Sequence, residues 1–203
     1  MSKFKLTKGE LKRQRDALGQ YERYLPTLQL KKQQLQLEIN RQLVILEKKR
    51  RDVEAKKNEI AGWAGLLSEQ PVNLKTMIQP EQIITAEKNI AGVDLPLFER
   101  LEFEPAEYDL FLCPLWVDTA IEELRKLVSL RQELKVLEKE VAILRQELRI
   151  TTQRVNLFEK IKIPAAREAI RAIKIYLGDQ MTNAVGRSKI AKRKFEELAS
   201  QVA

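Results

Sequence analysis

LVSLRQELKVLEKEVAILRQELRITTQRVNLF, Leu127 to Phe158, decides the fold. Along it Leu127, Leu130, Leu134, Leu137, Val141, Leu144, Leu148, Thr151, Val155 and Phe158 recur at alternating spacings of three and four, and nine of the ten are apolar. A repeat of about 3.5 residues keeps one narrow stripe turned toward a partner helix, so this is a coiled-coil seam. Flanking charges agree. Glu133, Glu140, Glu147 and Arg154 line one edge, with Arg131, Glu138, Arg145 and Glu159 on the other. A helix buried in a globular core would carry a broader apolar face.

Working back toward the amino terminus, Leu11, Leu18, Leu25, Lys32, Ile39, Leu46, Val53 and Ile60 lie seven apart. Tyr21, Leu28, Leu35 and Trp63 fill some of the alternate positions, while Gln14, Gln42, Lys49 and Lys56 occupy the others. Burying unpaired ammonium groups is costly, so this seam is expected to be partly open or shared with another chain. The simplest architecture is all-α, a long antiparallel two-helix coiled coil with a short irregular or β-hairpin insert. About 50 paired residues at 1.5 Å each give roughly 75 Å of length.

Charge marks the same division. Residues 1–60 carry 16 basic and 8 acidic side chains, residues 61–120 carry 3 and 10, and residues 121–203 carry 18 and 11. Five of the seven prolines fall in the middle segment: Pro71, Pro80, Pro96, Pro105 and Pro114. The expected organisation is therefore an N-terminal coiled-coil helix over 1–62, an acidic insert over 63–116, and a C-terminal coiled-coil helix over 117–203. Gly62 and Gly65 with Pro71 end the first helix. Within the insert, LPLFERLEF (Leu95–Phe103) and YDLFLCPLWV (Tyr108–Val117) are expected to pair as a small hairpin. Its Glu99, Glu102, Glu104, Glu107 and Asp109 read as solvated charges rather than a carboxylate site.

Beyond Pro164 the helical period resumes through Ala169, Ile170, Ile173 and either Tyr176 or Leu177. Pro164 removes one hydrogen bond and is expected to bend the helix. Gly178 with Asp179, and Gly186, read as weak points. A basic run follows: Arg187, Lys189, Lys192, Arg193 and Lys194. Such a run is a solvated face or a contact with acidic protein or nucleic acid.

Composition excludes much chemistry. The 203 residues contain no His, which removes the usual proton shuttle at neutral pH and the commonest metal ligand. Cys113 is alone, so neither an internal disulfide nor a thiolate cluster can form, and it reads as a small buried hydrophobe. No GxxxxGK[ST] loop occurs, no GxGxxG follows a strand, and Gly62-Trp63-Ala64-Gly65 lacks the flanks of either motif. Neither catalysis nor a cofactor is expected of this chain. The longest stretch free of Asp, Glu, Lys and Arg is Ile60 to Ser68, short of the roughly 20 apolar residues that span a bilayer. Nothing is expected to insert into a membrane, and the charged opening MSKFKLTKGELKRQR points to the cytoplasm.

Four stretches carry a resemblance. RVNLFEKIKIP (Arg154–Pro164), NIAGVDLPLFE (Asn89–Glu99), LTKGELKRQRDALGQYERYLPTLQLKKQQLQ (Leu6–Gln36) and YLGDQMTNAVGRSKIAKRK (Tyr176–Lys194) together resemble the D subunits of the vacuolar and archaeal type rotary ATPases, in their bacterial branch. The set appears in order on a heptad background. The resemblance implies a non-catalytic central-stalk shaft, peripheral to the membrane. It would turn in the bore of a hexamer of A and B subunits, carry a companion F subunit, and seat on the ring-capping C/d subunit. Torque would pass between ATP chemistry and proton or sodium transport. On this reading Arg154, Asn156 and Glu159 are either ordinary coiled-coil surface or contacts with a neighbouring subunit. Pro164 either simply kinks the helix or aims its terminal part into the bore, where the basic run from Arg187 to Lys194 would sit.

Two rivals come from other classes. The pI near 9.5 motivates a nucleic-acid-binding coiled coil, although no binding module is present and aromatics are not interleaved with the basic runs. A structural tether is the other, and a tether of that kind usually homodimerises.

Overall fold

Thr7 caps the start of the first helix, its hydroxyl accepting the N–H of Glu10 three residues on (3.3 Å). In the computed structural model, which describes residues 5–68, 74–105, 114 and 116–202, α1 then runs from Lys8 to Ala61 through Pro26. It stops at Gly62 and Trp63, whose N–H groups turn back to the carbonyls of Glu59 and Ile60. A 3₁₀ turn (Ala64–Ser68) and a single helical turn α2 (Leu74–Met77) lead into β1 (Pro80–Ile90) and β2 (Val93–Phe103). The chain continues as α3 (Trp116–Leu157), a π-turn (Phe158–Lys162) and α4 (Ile163–Val202).

The chain forms two compact units, one made of residues 31–150 and the other of residues up to 30 together with those from 151 onward. The first unit pairs residues 31–61 of α1 with residues 116–150 of α3. Antiparallel order is set by cross-helix ion pairs: Arg50 meets Glu138 (2.8 Å), Lys49 meets Glu133 (2.7 Å), and Lys56, further along α1, meets Glu123, further back on α3. These glutamates answer the lysines at inward registers. Lys49 and Lys56 are therefore seam-edge ion pairs rather than signs of an open seam.

LPLFERLEF lies in β2, but its partner is β1, with Leu95 opposite Lys88 and Leu97 opposite Ala86. The expected pairing with YDLFLCPLWV falls on a stretch that lies mostly outside the described residues, Cys113 included, and whose Trp116 and Val117 begin α3. The connection is two residues, Ala91 and Gly92, both at positive φ (53° and 73°), the type I′ geometry that suits the twist of a hairpin. Asn89 holds it, accepting the Gly92 N–H (3.1 Å) and donating to Asp94 Oδ1 (2.6 Å). Alternate residues of β2, Val93 and Leu95, point inward and pack on Leu35, Ile39 and Leu144, so the hairpin covers the helix pair.

Arg125 of α3 secures the open end of the hairpin. Its guanidinium donates to the Met77 carbonyl (3.0 and 2.8 Å) and the Glu104 carbonyl (2.6 Å) and lies over the Phe103 ring. Hydrogen bonds from a charged donor are each worth about 2 kcal/mol. Arg125→Met, which frees two carbonyls, should therefore lower the stability of the unit by roughly 2 to 4 kcal/mol and expose the hairpin to protease. A urea midpoint and cleavage rate equal to wild type would refute the clamp.

In the second unit Tyr21 packs against Phe158 (ring centroids 5.2 Å apart) and Glu22 pairs with Arg167 (2.8 Å). The 3,4 rhythm reaches Thr151, Val155 and Phe158, but the next buried residues are Ile163, Ala166, Ala169 and Ile173. A strict heptad would continue at Lys162, which is exposed. The π-turn supplies the one extra residue, with the Ile163 N–H bonded to the Phe158 carbonyl five residues back. Pro164, which has no N–H and crowds the preceding turn, follows directly, and the wider turn accommodates it. Gly178 and Gly186 do not interrupt α4, which runs through both, so they are not breaks. A methyl group at either would meet open space.

Candidate functional site

Helical geometry sorts the sequence-marked residues into covered and uncovered sets. In the first unit Leu137, Val141 and Leu144 are buried, and Leu127, Leu130, Leu134 and Leu148 are half-buried. In the second, Thr151 and Val155 are buried and Phe158 is half-buried. On α1 burial recurs every seven residues, at Ile39, Leu46, Val53 and Ile60, with Leu35 and Gln42 on the alternate register.

Arg154, Asn156, Glu159 and Pro164 are exposed, next to or one turn from the buried Val155 and Ile163. The structure does not gather them around a cavity. Arg187, Lys189, Lys192, Arg193 and Lys194 are exposed too. Lys192 and Arg193 reach Glu196 and Glu197 one turn on (3.7 and 3.5 Å), contacts of the kind that contribute only a few tenths of a kcal/mol. These cations share their helix with Met181, Val185, Ile190 and Phe195, which are 52 to 74% exposed. Between Gly178 and Glu197 no residue is buried, so this length of α4 is an uncovered helix with both apolar and basic side chains. Scattered apolar residues are ordinary on a surface; here four large ones stand on twenty residues of uncovered helix.

Electrostatics concentrate on the first unit. Lys56 sits between Glu123 and Glu59, and these contacts raise its pKa. Glu123, held by Lys56 and by Lys126, titrates below the ordinary carboxylate value. A depressed acid stabilises the fold above its unfolded pKa and loses that contribution as pH falls.

Three features escape a reading of the sequence. Glu140, placed by spacing among the solvated edge charges, is only 4% exposed and lies beneath the hairpin. Arg125 gives no local signal, because its acceptors Met77 and Glu104 are 48 and 21 residues away. The Asn89 turn does leave one: Asn-Ile-Ala-Gly-Val-Asp carries Gly92 at the second central position of the type I′ turn, with Asn89 and Asp94 flanking it. No helix among the described residues is long and apolar enough to cross a membrane.

Comparison with known proteins adds the last finding. The family described as the D subunit of ATP synthase matches residues 10–193. The V-type ATP synthase D subunit of Borreliella burgdorferi is 47% identical over 192 residues, covering 95% of this chain and 95% of that protein. The proteins of the same description from Chlamydia caviae and Chlamydia pneumoniae are 33% and 32% identical, covering 97% and 95% of this chain and 95% and 93% of their own lengths.

Proposed function

The chain belongs to the family of ATP synthase D subunits, and from that membership we propose that it is the central rotor shaft of a V-type ATPase, a non-catalytic part that carries torque. It is a stalk component of a multi-subunit rotary ATPase. The antiparallel helices occupy the bore of the hexamer of A and B subunits, with the companion F subunit on the side of the shaft and the ring-capping C/d subunit beneath. Rotation links ATP hydrolysis or synthesis in the hexamer to proton or sodium transport by the membrane ring. The shaft works in the cytoplasm, peripheral to the membrane.

The observation that best supports this is the uncovered part of α4. A helix that leaves Met181, Val185, Ile190 and Phe195 in water while carrying five cations has the surface of a component enclosed by others. Arg154, Asn156 and Glu159, exposed near the π-turn, suit contact with a neighbouring subunit, and Pro164 directs the chain beyond it. The covered seam holds the shaft together, whereas the mixed-charge exterior lets it turn without adhering at one angle. Charge raises nucleic-acid binding and the coiled coil raises tethering; neither gains support from the relatives.

Two measurements test the reading together. Native mass spectrometry of the complex should find one copy of this chain per hexamer, and calorimetry of the purified chain should detect no ATP binding at millimolar nucleotide. Two copies per assembly would favour a tether, and micromolar ATP binding would overturn the non-catalytic assignment.

A further inference from the structure

Beneath the hairpin lies a cavity of about 230 Å³, lined by Gln42 of α1, Lys88 of β1, Leu95 of β2, and Glu133, Leu137 and Glu140 of α3, among others. Glu140 and Gln42 are 4% and 7% exposed, and each has an oxygen, Oε1, with no hydrogen-bond partner. Gln42 Nε2 already donates to Glu38 Oε1 (3.0 Å). Turning the amide over would set the amide oxygen against the Glu38 carboxylate, so the orphan atom of Gln42 is an acceptor. Two buried acceptors on one cavity cannot satisfy each other. One proton changes that, because a neutral carboxyl is a donor.

We infer that Glu140 is a proton-operated latch for the hairpin. Protonated, it donates to the Gln42 oxygen and the hairpin stays seated on the helix pair. On ionisation it becomes a buried carboxylate beside a second acceptor, and the hairpin lifts to let water reach it.

The surrounding charges favour this direction. Glu38 on α1 repels an ionised Glu140, and Glu133 on α3 is already neutralised by Lys49. β2 lines the cavity only with Leu95, Pro96 and Leu97. Lys88 on β1 is the opposing influence, near enough to attract Glu140 yet making no ion pair with it. Burial outweighs it and pushes the Glu140 carboxyl above the ordinary glutamate value. An acid raised in the folded state contributes stability below its unfolded pKa and loses it as pH rises through the raised one. That is the opposite sign to Glu123. The inference does not depend on what the chain assembles with, since every group in it belongs to this chain.

The test is hydrogen exchange on the full-length chain across pH, corrected for intrinsic exchange and read separately for the hairpin and for the buried part of α1. In wild type the hairpin's opening constant should rise by up to tenfold per pH unit above the ordinary glutamate value, one proton being released. Glu140→Gln, which keeps the shape and cannot ionise, should stay at the protected level with no such slope. Isotope-edited infrared spectra of the wild-type chain should show the Glu140 carboxyl still protonated above that value. Protection that increases with pH would mean Lys88 pairs with an ionised Glu140. Dependence on sodium or potassium at fixed pH would mean the cavity holds a cation. Equal slopes in wild type and Glu140→Gln would place the titration elsewhere. Each of these three results overturns the latch.

Discussion

A chain cut after Leu177 is expected to fold and yet to fail as a shaft. The second unit packs on Ile163, Ala166, Ala169 and Ile173, all retained, whereas the removed stretch has no buried residue from Gly178 to Glu197. The helix pair should therefore melt within a few degrees of wild type. What is lost is the surface assigned to the bore of the hexamer: Met181, Val185, Ile190 and Phe195 with the run from Arg187 to Lys194. Covering a large apolar side chain contributes about 1.5 kcal/mol or more. Even two such contacts amount to about 3 kcal/mol, on the order of a hundredfold in association. In the assembled complex, ions transported per ATP should fall more than ATP hydrolysis, because the hexamer retains its own chemistry while the shaft loses its grip. A truncated chain that assembles and pumps like wild type would return the basic run to the status of a solvated face.

Leu144→Ala is expected to produce the largest loss of stability from a single substitution. Leu144 is fully buried against Leu35 and Ile39 of α1 and Val93 and Leu95 of β2, an apolar surround on every side. Removing its isobutyl group gives up transfer free energy and leaves a cavity between two helices and a hairpin that cannot all close in. The expected cost is about 3 to 4 kcal/mol, in the middle of the range for such sites. For a chain of this size that corresponds to a fall of roughly 10 °C in the melting temperature of the unit. Leu37→Ala, at a leucine 60% exposed on the same α1, should change it by less than about 0.5 kcal/mol. Equal melting of the two variants would show that Leu144 is not in the core.

The contrast between Leu144 and Glu140 shows how far spacing alone can be read. Both lie on α3, four residues apart, and heptad counting makes one a seam residue and the other an edge residue. Counting is right about Leu144 because a helix brings positions three and four apart to one face whatever lies beyond. It misplaces Glu140 because exposure at an edge depends on whether something else covers it. The cover is a hairpin that begins 60 residues earlier, and nothing in the local spacing around Glu140 tells that β1 and β2 fold back over it. The basic run of α4 is likewise legible as a run. Its accompanying uncovered apolar residues become significant only once no described part of the chain buries them.

By itself the sequence determined two long helices with a seam, an insert between them, the charge of each segment and the absence of the usual catalytic residues. These follow from composition and from periods of a few residues, which local helical geometry enforces. Only the tertiary structure decided that Lys49 and Lys56 find Glu133 and Glu123, 84 and 67 positions away along the chain, that Arg125 clamps both ends of the hairpin, and that Glu140 is enclosed. It also decided where the heptad slips: a π-turn before Pro164 adds one residue and carries the seam from Phe158 to Ile163. Each of these depends on which distant groups meet, and their energies arise only when desolvation and contact occur together, which no short window of sequence contains.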